Sequence, residues 1–495
     1  MKKLLIVACI FAFVLLSSCD LLLDLFGSQD DPDGNFWAIN IRTNKPYRLK
    51  AELLASGTYC NVWVQTGCGI DASRAAGVAS HFDNEIYPKM IENFSLKNFT
   101  FDGEHFNNII EFADALADED GKLCILLLDI LDNYNPTSFL FRDYSYVAGY
   151  FWLGNFFETN GSNLRDMIYI DTYPGMEDPE KINEAYGTLA HEMQHLMNFA
   201  TTIVTRSKFN NQGELEDINL MDTWIDEGLS AAAEWVYSGQ HSQQRIEWFN
   251  KNGGGDGRID RGNNFFVWDN YESIAVLDDY STVYIFFQWL RLQAGKTGIY
   301  SEIMSSKDYN HNAVVDAMKS YGYSNWENLL RTWLAANYIN AQSGPYGYMN
   351  DSELKKIKVP APKTITARVD LAPGEGVYSL TGSTQPVLSN QGQNIKNGYI
   401  ANNTFSNTFS PGSILLTFNG NTMIISYDKD NKPVAIPAES GVTTGTVIPS
   451  ASIVTPNRSM LPEISGPYRI DAGDVIGRDV FSIDQIGKKR LSGAK

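Results

Sequence analysis

The stretch Leu189-Ala190-His191-Glu192-Met193-Gln194-His195-Leu196 decides how the middle of this chain folds. Upstream, Asp178-Pro179 reads as an N-cap followed by a first-turn proline, with Glu180 in the first turn. From there Ile182, Tyr186, Leu189, Met193 and Leu196 recur at spacings of four and three, one narrow apolar stripe at about 100° per residue. The spacing predicts a helix that rests this stripe on a core. His191 and His195 fall opposite the stripe, one turn apart, and are expected to face a cleft. Two imidazoles so placed can grip one zinc ion, and Glu192 between them can take a proton from water. The bland alternative is two surface histidines on a helix. With six histidines in 495 residues, the pentapeptide is a rare coincidence.

Such a site needs a third protein ligand and an open position for water. Trp224 to Glu234 (WIDEGLSAAAE) reads as a second helix ending near Gly239. Ile225, Leu229, Ala232 and Val236 form its buried stripe. Glu227 lies on another face, and Glu234, seven residues on, shares nearly that face. A solvated acidic face is the usual fate of such glutamates; the histidine pair upstream makes Glu227 a candidate ligand.

His191–His195 followed by Trp224-Ile225-Asp226-Glu227-Gly228 resembles the gluzincin clan of zinc metallopeptidases. The longer string Leu189–Phe199 and the upstream Phe82-Asp83-Asn84-Glu85-Ile86-Tyr87-Pro88 look most like the hyicolysin family within it. The resemblance covers roughly residues 35–345 and implies a zincin-like fold. It implies His191, His195 and Glu227 as ligands of one Zn2+ ion and Glu192 as general base. Asp279–Phe287 resembles the helix that carries a transition-state tyrosine in aminopeptidase-like members, which points to Tyr280, with Tyr284 in reserve. There are departures. Where thermolysin-like members carry an Asp four residues after the ligand Glu, this chain has Ala231. The carboxylate that orients a zinc histidine must come from elsewhere, and Asp226 and Glu234 are the candidates. The G-x-M-E-N signature of aminopeptidases is not found, so an endopeptidase is expected.

The N-terminus bears on location. Met1-Lys2-Lys3 and the apolar run Leu4–Leu16 form a signal-like segment too short for a comfortable membrane span. Leu16-Ser17-Ser18-Cys19 resembles a bacterial lipobox. The expectation is a lipoprotein anchored to a membrane through lipid on Cys19, exported to the cell envelope on the periplasmic face or the cell surface. An exported protein permits disulfides; Cys60 and Cys68 flank a short turning segment and could pair, leaving Cys124 free. The net charge of −19 argues against a nucleic-acid partner. A monomer acting on protein or peptide substrates is expected.

The whole reads as α+β, a mixed sheet followed by a helical subdomain and then a β-rich domain. Residues 1–18 would be the signal, 19–35 an acidic tether, 36–177 the strand-rich part of the catalytic domain and 178–350 its helical, zinc-binding part. Tyr47–Leu54, Cys60–Thr66, Leu123–Leu128, Tyr146–Phe157 and Met167–Asp171 read as strands, Phe106–Leu116 and Asn325–Tyr338 as helices. Val147–Phe157 is the candidate edge strand for an extended peptide. The glycine-rich Asn252–Gly257 reads as a surface connection more than a calcium loop. Val359-Pro360-Ala361-Pro362 reads as a linker, and 363–495 as a β-rich accessory domain with a hairpin over Ile414–Phe418 and Thr422–Tyr427. The activity expected is a zinc-dependent metalloendopeptidase. The rival is a lipid-anchored adhesin or binding protein with an inactive peptidase-like fold, a reading that the missing carboxylate at Ala231 keeps open.

Overall fold

The computed structural model describes residues 34–137, 145–176, 182–251 other than 212 and 214, and 276–358, with the backbone of seven short strands between 370 and 471. Cys19, the Asp178-Pro179 cap and the Asn252–Gly257 loop lie outside the described residues. The chain opens with β1 (Asn35–Asn40), β2 (Lys45–Ser56) and β3 (Cys60–Gln65). Next come α1 (Ala72–His81), a π-turn (Phe82–Ile86) and α2 (Tyr87–Phe94). A hairpin of β4 (Lys97–Phe101) and β5 (Glu104–Asn108) leads into α3 (Ile109–Leu116), followed by β6 (Leu123–Leu128), β7 (Ser145–Phe151) and β8 (Met167–Asp171). The helical half comprises α4 (Ile182–Arg206), a hairpin of β9 (Ser207–Phe209) and β10 (Leu215–Ile218), α5 (Thr223–Ser238), α6 (Gln243–Lys251), α7 (Val276–Ala294), α8 (Ile299–Met304), α9 (His311–Met318) and α10 (Trp326–Ile339).

The main sheet is mixed. β1, β2 and β3 are antiparallel neighbours, β3, β6 and β8 run parallel, and β7 returns antiparallel to β8. A central strand covered on both faces reads as a continuous apolar run, and β6 shows it. Leu123, Ile125 and Leu127 join the large core shared with the helices, while Cys124, Leu126 and Leu128 join a smaller core with Phe36, Tyr150 and Tyr169. The helix α4 packs on β7 and β8 from the first side, α5 packs on α4, and α7 on α5. No helix among the described residues is long and apolar enough to cross a membrane.

Beyond residue 358 come β11 (Asp370–Leu371), β12 (Gly376–Leu380), β13 (Val387–Leu388), β14 (Ile414–Phe418), β15 (Asn421–Tyr427), β16 (Pro433–Pro437) and β17 (Tyr468–Asp471). β12, β14, β15 and β16 form an antiparallel sheet in which Phe418 pairs with Asn421. β17 instead joins the main sheet, parallel to β7, with Ile470 opposite Val147 and Asp471 opposite Gly149.

Four local expectations change. Glu104–Asn108 is a strand, and the helix begins only at Ile109, because the Asn108 side chain accepts from Ile110 N and Glu111 N and so sets the cap there. β7 stops at Phe151 and passes into a 3-10 turn at Leu153–Phe156, shorter than the strand read over Tyr146–Phe157. Its outer edge is paired with β17 rather than open. Cys60, Cys68 and Cys124 carry free thiols; Cys60 is buried in β3 against Ala79 O and Asp83, so the suggested Cys60–Cys68 bridge is absent.

Candidate metal centre

The helix α4 is buried around most of its circumference, not on one stripe. Leu189, Met193 and Leu196 pack into the core as the periodicity requires, but His191 and Glu192 are also 0% exposed and His195 is 3% exposed. The histidines therefore face packed helix rather than an open cleft, a correction to the amphipathic picture. Its cause is α5, laid across the face that the apolar stripe leaves over. α5 ends where expected, with Gly239 at φ 67 forming a left-handed cap.

From α5, the fully buried Glu227 reaches both imidazoles. Its Oε2 stands 3.3 Å from His191 Nε2 and 3.9 Å from His195 Nε2. Zinc held by nitrogen and oxygen at its usual bond lengths and tetrahedral angles sets ligand atoms about 3.3 Å apart. The three donor atoms lie within 4.8 Å of one another, and among the described residues His195 Nε2 is buried without a hydrogen-bond partner. Donor types, spacing and this orphaned nitrogen fit a zinc ion held by His191, His195 and Glu227.

The other nitrogen of each ring is held by a carboxylate. Glu234 Oε1 stands 2.9 Å from His191 Nδ1, and Asp226 Oδ2 stands 3.1 Å from His195 Nδ1. Both acids named from the sequence thus reach a histidine, one each, and Ala231 leaves no gap to fill. A carboxylate on Nδ1 orients the ring and presents Nε2 to a metal. Burial works to lower the His195 pKa, but the charge and hydrogen bond of Asp226, with Glu227 behind them, outweigh it and raise the pKa to about 9.

Further residues fix these acids, and sequence reasoning did not name them. Ser230 Oγ lies 3.2 Å from His195 Nδ1. Asn198 donates to Asp226, and Arg206 donates to Asn198 Oδ1 at 3.3 Å and to Met304 O at 2.6 Å. Arg245 pairs with Glu234 Oε1 at 2.7 Å. Ser230 and Asn198 carried a signal, since each lies one helical turn beyond Asp226 or His195 and so on the same side. Arg206 and Arg245 carried none, because their partners come from other elements.

Two glycines permit the packing. A Cβ at Gly228 would fall 2.3 Å from Phe287 Cε2, so only a glycine lets α5 approach α7 beside Glu227. A Cβ at Gly149 in β7 would lie 2.6 Å from Thr188 Cγ2 and 3.2 Å from Glu192 Cγ, which places the strand directly against the carboxylate between the histidines.

Tyr280, in α7 and 5% exposed, lines a cavity with Glu234, Arg245, Trp248 and Ser281. The Arg245 guanidinium sits 5.7 Å from the centre of its ring. Tyr280 is thus tied to His191 through Arg245 and Glu234. Tyr284 is engaged elsewhere, its hydroxyl 2.7 Å from His241 Nδ1 and accepting from Ser242 N at 3.3 Å.

No protein-family model matches the chain. It is 30% identical over 291 residues to the neutral metalloprotease ShpI of Staphylococcus hyicus, an alignment that spans 58% of this chain and 58% of that protein. This likeness and the His-His-Glu group together support a metallopeptidase family.

Proposed function

We propose that the chain is a zinc-dependent metalloendopeptidase that hydrolyses peptide bonds in proteins. The observation that carries this reading is the convergence of His191, His195 and Glu227 from two packed helices, with Glu192 on the same helix turn as the imidazoles. The name of the similar protein, a neutral metalloprotease, supports it.

Zinc, when bound, supplies Lewis acidity that polarises a carbonyl and makes water easier to deprotonate. The chain's own groups do the rest. The Glu192 carboxylate takes the proton of the attacking water and passes it to the leaving amine. Asp226 and Glu234 hold the rings of His195 and His191 in place and offset the positive charge gathered there. The Tyr280 hydroxyl donates to the oxygen that gains negative charge as the carbonyl is attacked. Burial keeps bulk water from screening these interactions.

The test compares the purified wild type with Glu192→Gln on casein, with and without a chelator. The proposal expects chelator-sensitive cleavage in the wild type. The variant should retain its zinc while losing activity by several orders of magnitude. Cleavage at an equal rate by both would refute Glu192 as the base. A zinc-loaded wild type that cleaves nothing would favour the binding-protein reading. We further propose lipid attachment at Cys19, supported by Leu16-Ser17-Ser18-Cys19; palmitate labelling that persists in Cys19→Ala would refute it.

A further inference from the structure

A second group of acids stands apart from the histidines. Asp114, near the C-terminal end of α3, and Asp118 and Asp120, in the loop before β6, bring carboxylate oxygens within 4.8 Å of one another. Acidic loops are common, and these three alone would be a solvated turn. What distinguishes them is Asp166, which immediately precedes β8. It is 0% exposed, and among the described residues no other residue donates to either of its carboxylate oxygens. The charges that act on it are Asp118, Asp114 and Asp120, in that order. Asp118 Oδ1 is likewise buried, with no donor from another of the described residues. Its other oxygen lies 3.6 Å from Arg165 Nε, one positive charge against four carboxyls.

Leaving a carboxylate buried with no donor is costly, and placing several together is costlier. Two arrangements relieve it. Either protons neutralise the acids, or a cation sits among them. Burial first and then the neighbouring aspartates raise the Asp166 pKa well above its ordinary value, and burial with Asp120 raises that of Asp118 to about 7, against the pull of Arg165. The C-terminal end of α3 adds its own negative dipole beside Asp114. The loop backbone leaves room for the second arrangement. Gly121 N donates to only one oxygen of Asp114, and Lys122 N to only one of Asp120, while Asn61 reaches the other oxygen of Asp120 at 3.3 Å.

We propose that Asp114, Asp118 and Asp120 form a binding site for a hard divalent cation, Ca2+, whose charge also offsets that of the buried Asp166 beside them. The donor set is all oxygen, with no imidazole or thiolate, which suits calcium and does not suit zinc. Calcium tolerates six to eight oxygens in irregular geometry, whereas magnesium demands a near-octahedral shell and keeps much of its water. The site is separate from the His-His-Glu centre. Gly149, which borders Glu192, pairs with Ile170. Asp166 lies four residues upstream of Ile170, about 13 Å away along the strand. A cation there pins the end of α3 and the entry to β6 onto the start of β8, and so braces the sheet on which α4 rests.

The test titrates Ca2+ into the zinc-loaded full-length protein by calorimetry and follows its melting temperature with and without Ca2+. The wild type should bind one Ca2+ and melt higher in its presence. Asp118→Asn should keep its zinc and bind Ca2+ at least tenfold more weakly. Asp166→Asn separates the two ways of relieving the buried charge. With a cation site, this variant melts as high as the wild type or higher without Ca2+, yet gains less than the wild type when Ca2+ is added. If the acids merely hold protons, the wild type itself gains nothing from Ca2+. Either that result, or an undiminished calcium effect in both variants, would overturn the proposal.

Discussion

Gly228→Ala tests whether helix packing sets the position of Glu227. In an ordinary helix interior the change is favourable by roughly 1 kcal/mol, because glycine loses more backbone freedom on folding. Here the new methyl group would fall 2.3 Å from Phe287 Cε2, 2.5 Å from Cδ2 and 2.9 Å from Cζ. Carbon atoms in contact prefer about 3.5–4.0 Å, so the ring or the helix must shift by more than an ångström. Phe287 is 0% exposed and its ring meets Trp224, Phe286 and Tyr300, so it cannot swing aside cheaply. Overpacking of this kind costs about 1–3 kcal/mol. Set against the helical gain, the net effect is a loss of up to about 2 kcal/mol. The more telling effect is on metal. Glu227 is the preceding residue, and an ångström displacement of α5 takes its Oε2 out of the 3.3 Å and 3.9 Å relation to the imidazoles. Zinc affinity should fall at least tenfold, read by competition with a chromophoric chelator, with the melting temperature measured alongside. Gly228→Ala combined with Phe287→Leu should recover part of both losses. A single variant that is about 1 kcal/mol more stable than wild type, with unchanged zinc affinity, would refute the tight α5–α7 approach and its role in placing the ligand.

Two further outcomes follow from the site. Asp226→Asn and Glu234→Gln should each weaken zinc binding by roughly 10–100-fold, the usual effect of losing a carboxylate behind a metal-bound histidine; equal affinity in both variants, measured in the same competition, would remove them from that role. Tyr280→Phe should lower kcat by about 10²-fold, as when one donor to a developing oxyanion is lost, while KM and zinc content stay near wild type. An unchanged kcat would leave the tyrosine a packing residue.

The parts of this molecule legible in the sequence are those set by neighbours along the chain. The four-residue interval between His191 and His195 fixes their common side of α4, and Gly239 marks the end of α5 by itself. The run Leu123–Leu128 declares a strand covered on both faces. Asp226 and Glu234 could be named as supporting acids, but not which histidine each would meet, because that depends on how two helices cross. The burial of His191 and His195 escaped notice for the same reason. An apolar stripe shows which face of a helix meets the first layer, and is silent about a second helix laid over the polar face. The strand at Glu104–Asn108 was hidden because Phe106, Ile109 and Ile110 fall at the helical spacing i, i+3, i+4, and only the cap made by Asn108 starts the helix after Phe106. The four aspartates were illegible as a group because Asp166 comes to Asp118 through the pairing of β6 with β8, a contact with no trace in local pattern.

The most direct measurement is the zinc stoichiometry and affinity of the wild type beside Glu227→Ala. The structure calls for one tightly held zinc per chain in the wild type, and for its loss when the Glu227 carboxylate is removed while both imidazoles remain. A variant that holds zinc as tightly as the wild type would contradict a centre built from His191, His195 and Glu227.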